Sequence, residues 1–160
     1  MKILLLFLIT CLYADLPYHQ NAICYGPFRD GQEPGGINPN KDQLKEDLKI
    51  ISKNWSSIRM YGSRGSTENV LEIISKENLN LKLYLGAWIA NESKDSLAIY
   101  ENQKELDKTI ELANKYPQII EAVIIGNETQ VFWTWNKVNF ETLKKYIKYV
   151  KSNISHPIST

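Results

Sequence analysis

Residues 122–128 read Ala-Val-Ile-Ile-Gly-Asn-Glu, a short apolar run that ends abruptly in Asn127 and Glu128. A continuous apolar run of this length is typical of a strand buried on both faces in a parallel sheet. In open α/β sheets and in (β/α) barrels, the side chains at the carboxyl ends of the strands carry the chemistry. Glu128 is therefore the first candidate functional residue, and Asn127 stands beside it.

Apolar runs and amphipathic helical stripes alternate along the rest of the chain. We predict strands at about residues 22–25, 57–61, 81–88 and 121–126, with a fifth beginning at Pro157. Helices are predicted at about 40–55, 67–77, 96–115 and 139–154. Asn40 with Gln43 forms a capping-box pattern, and Asn139 caps the last helix. The stripe of that last helix is predicted to face inward; it consists of Phe140, Leu143, Ile147, Val150 and Ile154.

This alternation predicts parallel βαβ units of about 25 to 40 residues each. A complete (β/α)8 barrel needs about 250 residues, so the 160 residues of this chain hold about half of one. We expect an α/β fold, a truncated (β/α)8 TIM barrel of about four βα units plus the start of strand five. An open five-stranded flavodoxin-like sheet is the alternative. The first strand–helix connection disfavours it, because that connection is long and lacks a phosphate-binding glycine loop.

The first residues predict a targeting segment. Lys2 is followed by an apolar run at residues 3–13 that is too short to span a bilayer, which is typical of a secretory signal. We expect a signal peptide at 1–14, a barrel domain at 15–160, and a secreted, periplasmic or cell-wall location. A lipid anchor on Cys11 is disfavoured, because Thr10 replaces the small residue expected before the cysteine.

Composition excludes several classes of function. The net charge of +1 offers no electrostatic basis for binding nucleic acid. Removal of the signal peptide leaves Cys24 alone in an apolar strand, so we predict a buried, inert thiol and no intrachain disulfide. His19 and His156 are isolated, and no His/Cys cluster has the spacing of a metal site. We therefore expect no metal and no cofactor.

Several polar and aromatic side chains fall near the predicted strand ends. Arg59 and Tyr61 share one face of the second strand, and an arginine in a buried strand requires an anionic or strongly polar partner. Aromatic rings can stack on the apolar faces of sugars. Four aromatic residues lie at or just beyond strand ends: Tyr25, Trp88, Trp133 and Trp135. Ordinary packing would explain any one of these rings, but four at the same end of the sheet favour a saccharide cleft.

Glu128 is suited to glycoside hydrolysis, which needs a carboxylic acid to protonate the leaving oxygen and a second carboxylate across the anomeric carbon. A partly buried strand end could keep that acid protonated by desolvation. The Asn127 amide could donate to a sugar hydroxyl. In the alternative interpretation, both residues merely belong to the loop after the strand.

Four blocks of the sequence together resemble glycoside hydrolase family 17, in its bacterial and fungal β-1,3-glucanase-like branch. The blocks are residues 23–32 with 34–36, residues 58–62, residues 83–88 and residues 123–128. The resemblance covers about residues 22–160. It implies a (β/α)8 barrel and retaining hydrolysis, or transglycosylation, of β-glucan without a cofactor.

The resemblance also implies roles for individual residues. Glu128 would be the acid/base, with Asn127 beside it at the end of strand four. Tyr25, Arg59, Tyr61 and Trp88 match positions that line the cleft. The family's nucleophile lies at the end of strand seven, which this chain does not contain.

These observations give the following expectations for the chain as a whole. The first is a β-glucan-active glycosidase represented by its N-terminal half, with β-glucan as its partner. The alternatives are a non-catalytic saccharide-binding protein and an inert truncated fragment. Open strand edges would also allow two copies to associate as a homodimer.

Overall fold

The computed structural model describes residues 21–94 and 96–160. These form five parallel strands alternating with four helices. The strands are β1 (Ala22–Cys24), β2 (Ser57–Met60), β3 (Lys82–Ala87), β4 (Ile120–Ile125) and β5 (Ile158–Ser159). The helices are α1 (Lys41–Ile51), α2 (Thr67–Lys76), α3 (Ala98–Lys115) and α4 (Phe140–Lys151). The predicted signal peptide at 1–14, with Cys11 and its lipid-anchor alternative, and His19 lie outside the described residues.

The strands lie side by side in chain order, β1-β2-β3-β4-β5. Right-handed crossovers between successive neighbours place every helix on the same face of the sheet. A flavodoxin-like sheet would instead have its strands in the order 2-1-3-4-5. The singly wound order therefore confirms the barrel-type α/β arrangement and excludes the open alternative.

The core lies between the sheet and the helices. Ile58, Leu83 and Val123 of the strands are fully buried there, together with Leu44 and Leu48 of α1. Strand alternation directs the intervening residues to the opposite face of the sheet, which would be the inner face of a barrel.

The helix starts follow the local sequence signals. Asn40 Oδ1 accepts from the Gln43 backbone N–H, and the Gln43 side chain accepts from the Asn40 N–H, which completes the predicted capping box. Asn139 caps α4 through the Glu141 N–H. The predictions for these two helix starts are confirmed.

Two burial predictions were wrong. Cys24 is exposed rather than buried, because its register partner is Arg59 and both belong to the face that the helices do not cover. Phe140 is 64% exposed, because it is the first residue of α4 and the inward stripe begins one turn later, at Leu143.

Strand β5 pairs with β4 through Val123 and Ile158. Among the described residues, the strands paired on one side only are therefore β1 and β5. No helix within this part of the chain is long and apolar enough to cross a membrane.

Candidate active site

The carboxyl ends of β2 and β4 are joined by one polar contact. Arg59 Nη2 donates to Asn127 Oδ1 at 3.1 Å, and the Arg59 guanidinium lies 5.1 Å from the centre of the Tyr61 ring. Arginine can only donate, so this bond fixes the Asn127 amide with its Nδ2 group directed away from Arg59. The polar partner expected for Arg59 is thus the amide of Asn127.

Arg59 keeps further donor capacity. Its buried Nε has no hydrogen-bond acceptor among the described residues. Buried donors are nearly always paired in folded proteins. The guanidinium can therefore hold one more acceptor at the inner face of the sheet.

The backbone turns sharply directly after β4. Gly126 has φ +86° and Glu128 has φ +53°, and a positive φ is uncommon for a residue other than glycine, asparagine or aspartate. Backbone held in a sparsely populated region is concentrated at functional sites. The turn leaves Glu128 exposed, which corrects the partly buried strand end expected from the sequence, because no described element covers this side of the sheet.

Tyr61 lies beside Arg59 on the inner face of the sheet. The pKa of Tyr61 is raised, first by a hydrogen bond with the Cys24 thiol, then by desolvation, and also by the negative charge of Glu128; Arg59 opposes the shift. The charge of Glu128 thus reaches Tyr61, and Asn127, the residue before Glu128, contacts Arg59 on this face. We refer to Arg59, Tyr61, Asn127 and Glu128 as the strand-end group.

A buried carboxylate beneath the strand ends braces this region. Glu105 of α3 is 5% exposed; its Oε1 accepts the Trp88 N–H at 3.1 Å and the Ser63 N–H. Desolvation raises its pKa, and the backbone donors oppose that shift. Glu105 therefore ties the loop after β2 to the end of β3.

Sequence reasoning missed Glu105. A signal was available, because Asn102 and Thr109 flank it at helical spacing and all three are buried on the inward stripe of α3. Polar residues three and four apart on an otherwise apolar stripe indicate a buried network.

The remaining predicted residues have different surroundings. Trp88 is 41% exposed at the end of β3. Trp133 lies in the β4–α4 loop and is 66% exposed. Its ring packs edge-on against the Phe132 ring, with 4.8 Å between the ring centres. Tyr25 does not join the group: it is buried, and its hydroxyl donates to Asp47 of α1 at 2.9 Å. Burial and that bond raise its pKa, because alternation turns Tyr25 to the face opposite Cys24.

Within the described residues, no other acidic residue directly follows an apolar strand as Glu128 does. Asp30 and Glu33 lie in the β1–α1 loop, Glu92 is bonded to Asn102 and Tyr146, and Glu105 is buried beneath the strand ends. The described residues also hold no cluster of three His, Cys, Asp or Glu side chains that could bind a metal ion.

A family model described as the BtgE/BtgC glycoside hydrolase domain matches residues 22–159. The chain belongs to this glycoside hydrolase family. Because the match covers nearly all the described residues, the strand-end group lies within a glycoside hydrolase domain. No curated protein matches the chain.

Solved structures of glycosidases share the fold. An endo-laminarinase from Formosa Hel1_33_131 has a TM-score of 0.74 and 26% identity; the match covers 88% of this chain and 41% of that one. A glycoside hydrolase family 17 β-1,3-glucanosyltransferase from Rhizomucor miehei has a TM-score of 0.56 and 19% identity, over 83% of this chain and 44% of that one. The chain thus spans less than half the length of these two structures. At 19% identity the second likeness concerns the fold alone.

Proposed function

We propose that this chain supplies the acid/base half of an exported, retaining, family-17-type glycosidase that acts on β-1,3-glucan by hydrolysis or transglycosylation. The observation that carries the proposal is the strand-end group, in which Arg59 orients Asn127 beside an exposed Glu128. The similarity to a laminarinase supports the substrate class. The apolar run at residues 3–13 supports export.

Each residue of the group has a distinct task in this reaction. Glu128 protonates the oxygen of the departing sugar and later deprotonates the water that releases the glycosyl-enzyme intermediate. With Oδ1 held by Arg59, Asn127 offers Nδ2 to a sugar hydroxyl. Tyr61 and Trp88, both partly exposed at neighbouring strand ends, provide rings that can face the sugar.

The acid/base role is tested by Glu128→Gln in an assembled barrel that contains these residues and a second half with the nucleophile. Glutamine cannot transfer a proton, so turnover of laminarin should fall by roughly 10²- to 10⁴-fold. Release of reducing ends is the measurement. Glu141→Gln, an exposed carboxylate in the first turn of α4, is the matched control and should keep full activity.

The substrate should be an ordinary glycoside, since an activated leaving group needs little acid assistance. A Glu128→Gln protein that retains most of its turnover on laminarin would contradict the assignment.

The chain alone should bind glucan weakly and should not hydrolyse it. Retaining hydrolysis needs two carboxylates roughly 5 to 5.5 Å apart, and among the described residues no other acid ends an apolar strand as Glu128 does. The measurement is incubation of residues 15–160 with laminarin-type oligosaccharides, watched for reducing ends and transfer products. Turnover that disappears in Glu128→Gln would show that a second carboxylate exists in this chain.

A second candidate function is saccharide binding without catalysis. The observation that favours it is the exposure of three tryptophan rings, Trp88, Trp133 and Trp135. Stacking of these rings on a sugar needs no catalytic acid. If this is the function, Glu128→Gln should leave laminarin affinity unchanged in every assembly, and none of those assemblies should show turnover.

A further inference from the structure

A groove of about 750 Å³ lies between the β3–α3 and β4–α4 loops. Its walls are residues 91–93 on one side, and Gln130, residues 137–140 and Thr142 on the other. None of Arg59, Tyr61, Trp88, Asn127, Glu128 or Trp133 lines it. Its volume falls within the roughly 300–1,000 Å³ of small-molecule sites, and it is separate from the strand-end group.

Buried amide side chains fix the loops that form the groove. Asn136, 3% exposed, accepts the Asn91 N–H at 2.9 Å and donates to the Ile89 carbonyl at 2.8 Å, so it joins the two loops. Asn102 accepts the Ala90 N–H at 2.8 Å and donates to the Ala90 carbonyl at 3.0 Å. The β3–α3 wall is thereby fixed before any ligand arrives, which lowers the entropic cost of binding.

One carboxylate of the groove is also fixed in place. Glu92 Oε1 accepts from Asn102 at 3.2 Å and from the Tyr146 hydroxyl. Burial, and then the bond to Glu92, raise the pKa of Tyr146 to about 12, so Tyr146 stays a donor. The second oxygen of Glu92 has no described hydrogen bond and remains available as an acceptor.

The other groups of the groove provide donors and one ring. Lys137 makes no ion pair within the described residues. Gln130 donates to the Val138 carbonyl at 2.9 Å, which leaves its own oxygen as an acceptor. Phe140, 64% exposed, presents a ring that the core does not use. An aromatic ring beside a fixed carboxylate, an ammonium group and an amide suits a ligand with apolar ring faces and many hydroxyls.

The charges also restrict the class of ligand. The groove has one carboxylate, Glu92, and one ammonium group, Lys137, so it offers no net attraction to a phosphate or to a cation. A neutral ligand with adjacent hydroxyls can donate to the carboxylate and accept from the lysine.

We infer that this groove is a second binding site for a neutral saccharide, in which a segment of glucan chain outside the cleft stacks on Phe140 and hydrogen-bonds to Glu92. The inference rests on the proposed function for its ligand class, β-glucan, but not for its residues. The site would hold a polymeric substrate beside the cleft.

The test measures binding of a linear β-1,3-gluco-oligosaccharide to the full chain by calorimetry, with maltohexaose as the comparison sugar. Phe140→Ala should weaken the affinity of the oligosaccharide for the groove about three- to tenfold, which is the loss expected for one stacking ring. Glu92→Gln, which keeps an oxygen for Tyr146, should weaken it as well. Tyr100→Ala is the matched control, since Tyr100 is a 59% exposed ring in the first turn of α3 outside the groove.

A Trp88→Ala, Trp133→Ala double variant separates the two sites. Binding that survives in this variant and is weakened about three- to tenfold on adding Phe140→Ala supports the groove site, whatever the outcome of the Glu128→Gln activity test. If the double variant abolishes binding while Phe140→Ala and Glu92→Gln leave it unchanged, the inference of a groove site is overturned. The proposed function is then unaffected. The inference is also overturned if Phe140→Ala and Tyr100→Ala lose the same affinity for the oligosaccharide. Equal binding of maltohexaose, or no binding by the unaltered chain, overturns it as well.

Discussion

At the scale of single residues, two glutamates show how position in the fold sets the task of a carboxylate. Glu128 is exposed after β4 and free to meet a substrate. Glu105 is buried under the strand ends and accepts the Trp88 and Ser63 N–H groups. Burial raises the pKa of Glu105, and its two backbone contacts join the loop after β2 to the end of β3, so Glu105 supports the site structurally.

The buried acid predicts a pH dependence of stability. The pKa of Glu105 is raised above 4.5 in the folded state, mainly by desolvation. Its contribution to stability is therefore fully present below the unfolded pKa and is lost as the pH rises through the folded pKa. The difference in melting temperature between the unaltered protein and Glu105→Gln should be most favourable to the unaltered protein near pH 4 and should shrink towards pH 8.

Thermal unfolding followed by circular dichroism measures this difference. Ion-paired carboxylates such as Glu72, whose pKa is lowered to about 2 by its bonds to Lys41 and Lys76, behave alike in both proteins and cancel. If the difference instead grows with pH, the backbone donors outweigh desolvation and the raised pKa of Glu105 is contradicted.

At the scale of the elements, β2 and β3 approach closely at Gly86. A Cβ atom on Gly86 would lie 2.3 Å from the Met60 carbonyl oxygen and 2.5 Å from the Tyr61 carbonyl carbon. Both are backbone atoms and cannot turn aside. Glycine at this position therefore sets the distance between the strand ends that carry Tyr61 and Trp88.

Gly86→Ala should lower the free energy of unfolding by about 1–3 kcal/mol, the usual cost of overpacking. Gly26→Ala is the matched control: a Cβ there meets nothing within 4 Å, so the change should stay within about 0.5 kcal/mol. Urea denaturation gives both values. Equal midpoints for the two variants would show that the strands separate at no cost.

At the scale of the whole molecule, the sheet formed by residues 21–94 and 96–160 has two unpaired edges and an inner face that none of the four described helices covers. Strands β1 and β5 each pair on one side within the described residues, and Tyr61 and Trp88 are partly exposed. Unpaired edges and exposed apolar surface promote association. We therefore propose that residues 15–160 self-associate, as two copies joined through these edges and inner faces.

Sedimentation velocity over a range of concentrations tests this association. Ala22→Lys places a charge on the exposed edge strand β1 and should shift the protein towards monomer. Ser75→Lys adds the same charge on the exposed surface of α2 and should not. A concentration-independent monomer with a cooperative melt would show that the sheet closes its own core.

Much of the fold could be predicted because its signals are local. The apolar run before Asn127 and the capping residues Asn40 and Asn139 each depend on neighbours in the chain, and the structure has them where the sequence predicts. Glu128 could be placed at a strand end for the same reason. The contact of Arg59 with Asn127 was open, since it spans 68 residues.

Only the tertiary structure determines which face of each strand the helices cover. That choice leaves Cys24 exposed and turns the next residue, Tyr25, towards Asp47, although the sequence predicts both within one apolar strand. The packing of the helices also buries the charged residue Glu105 and leaves the apolar residue Phe140 exposed. Side-chain polarity alone would suggest the opposite burial for each. Local sequence determines backbone periodicity, but burial depends on the elements that pack across it, and those come from distant parts of the chain.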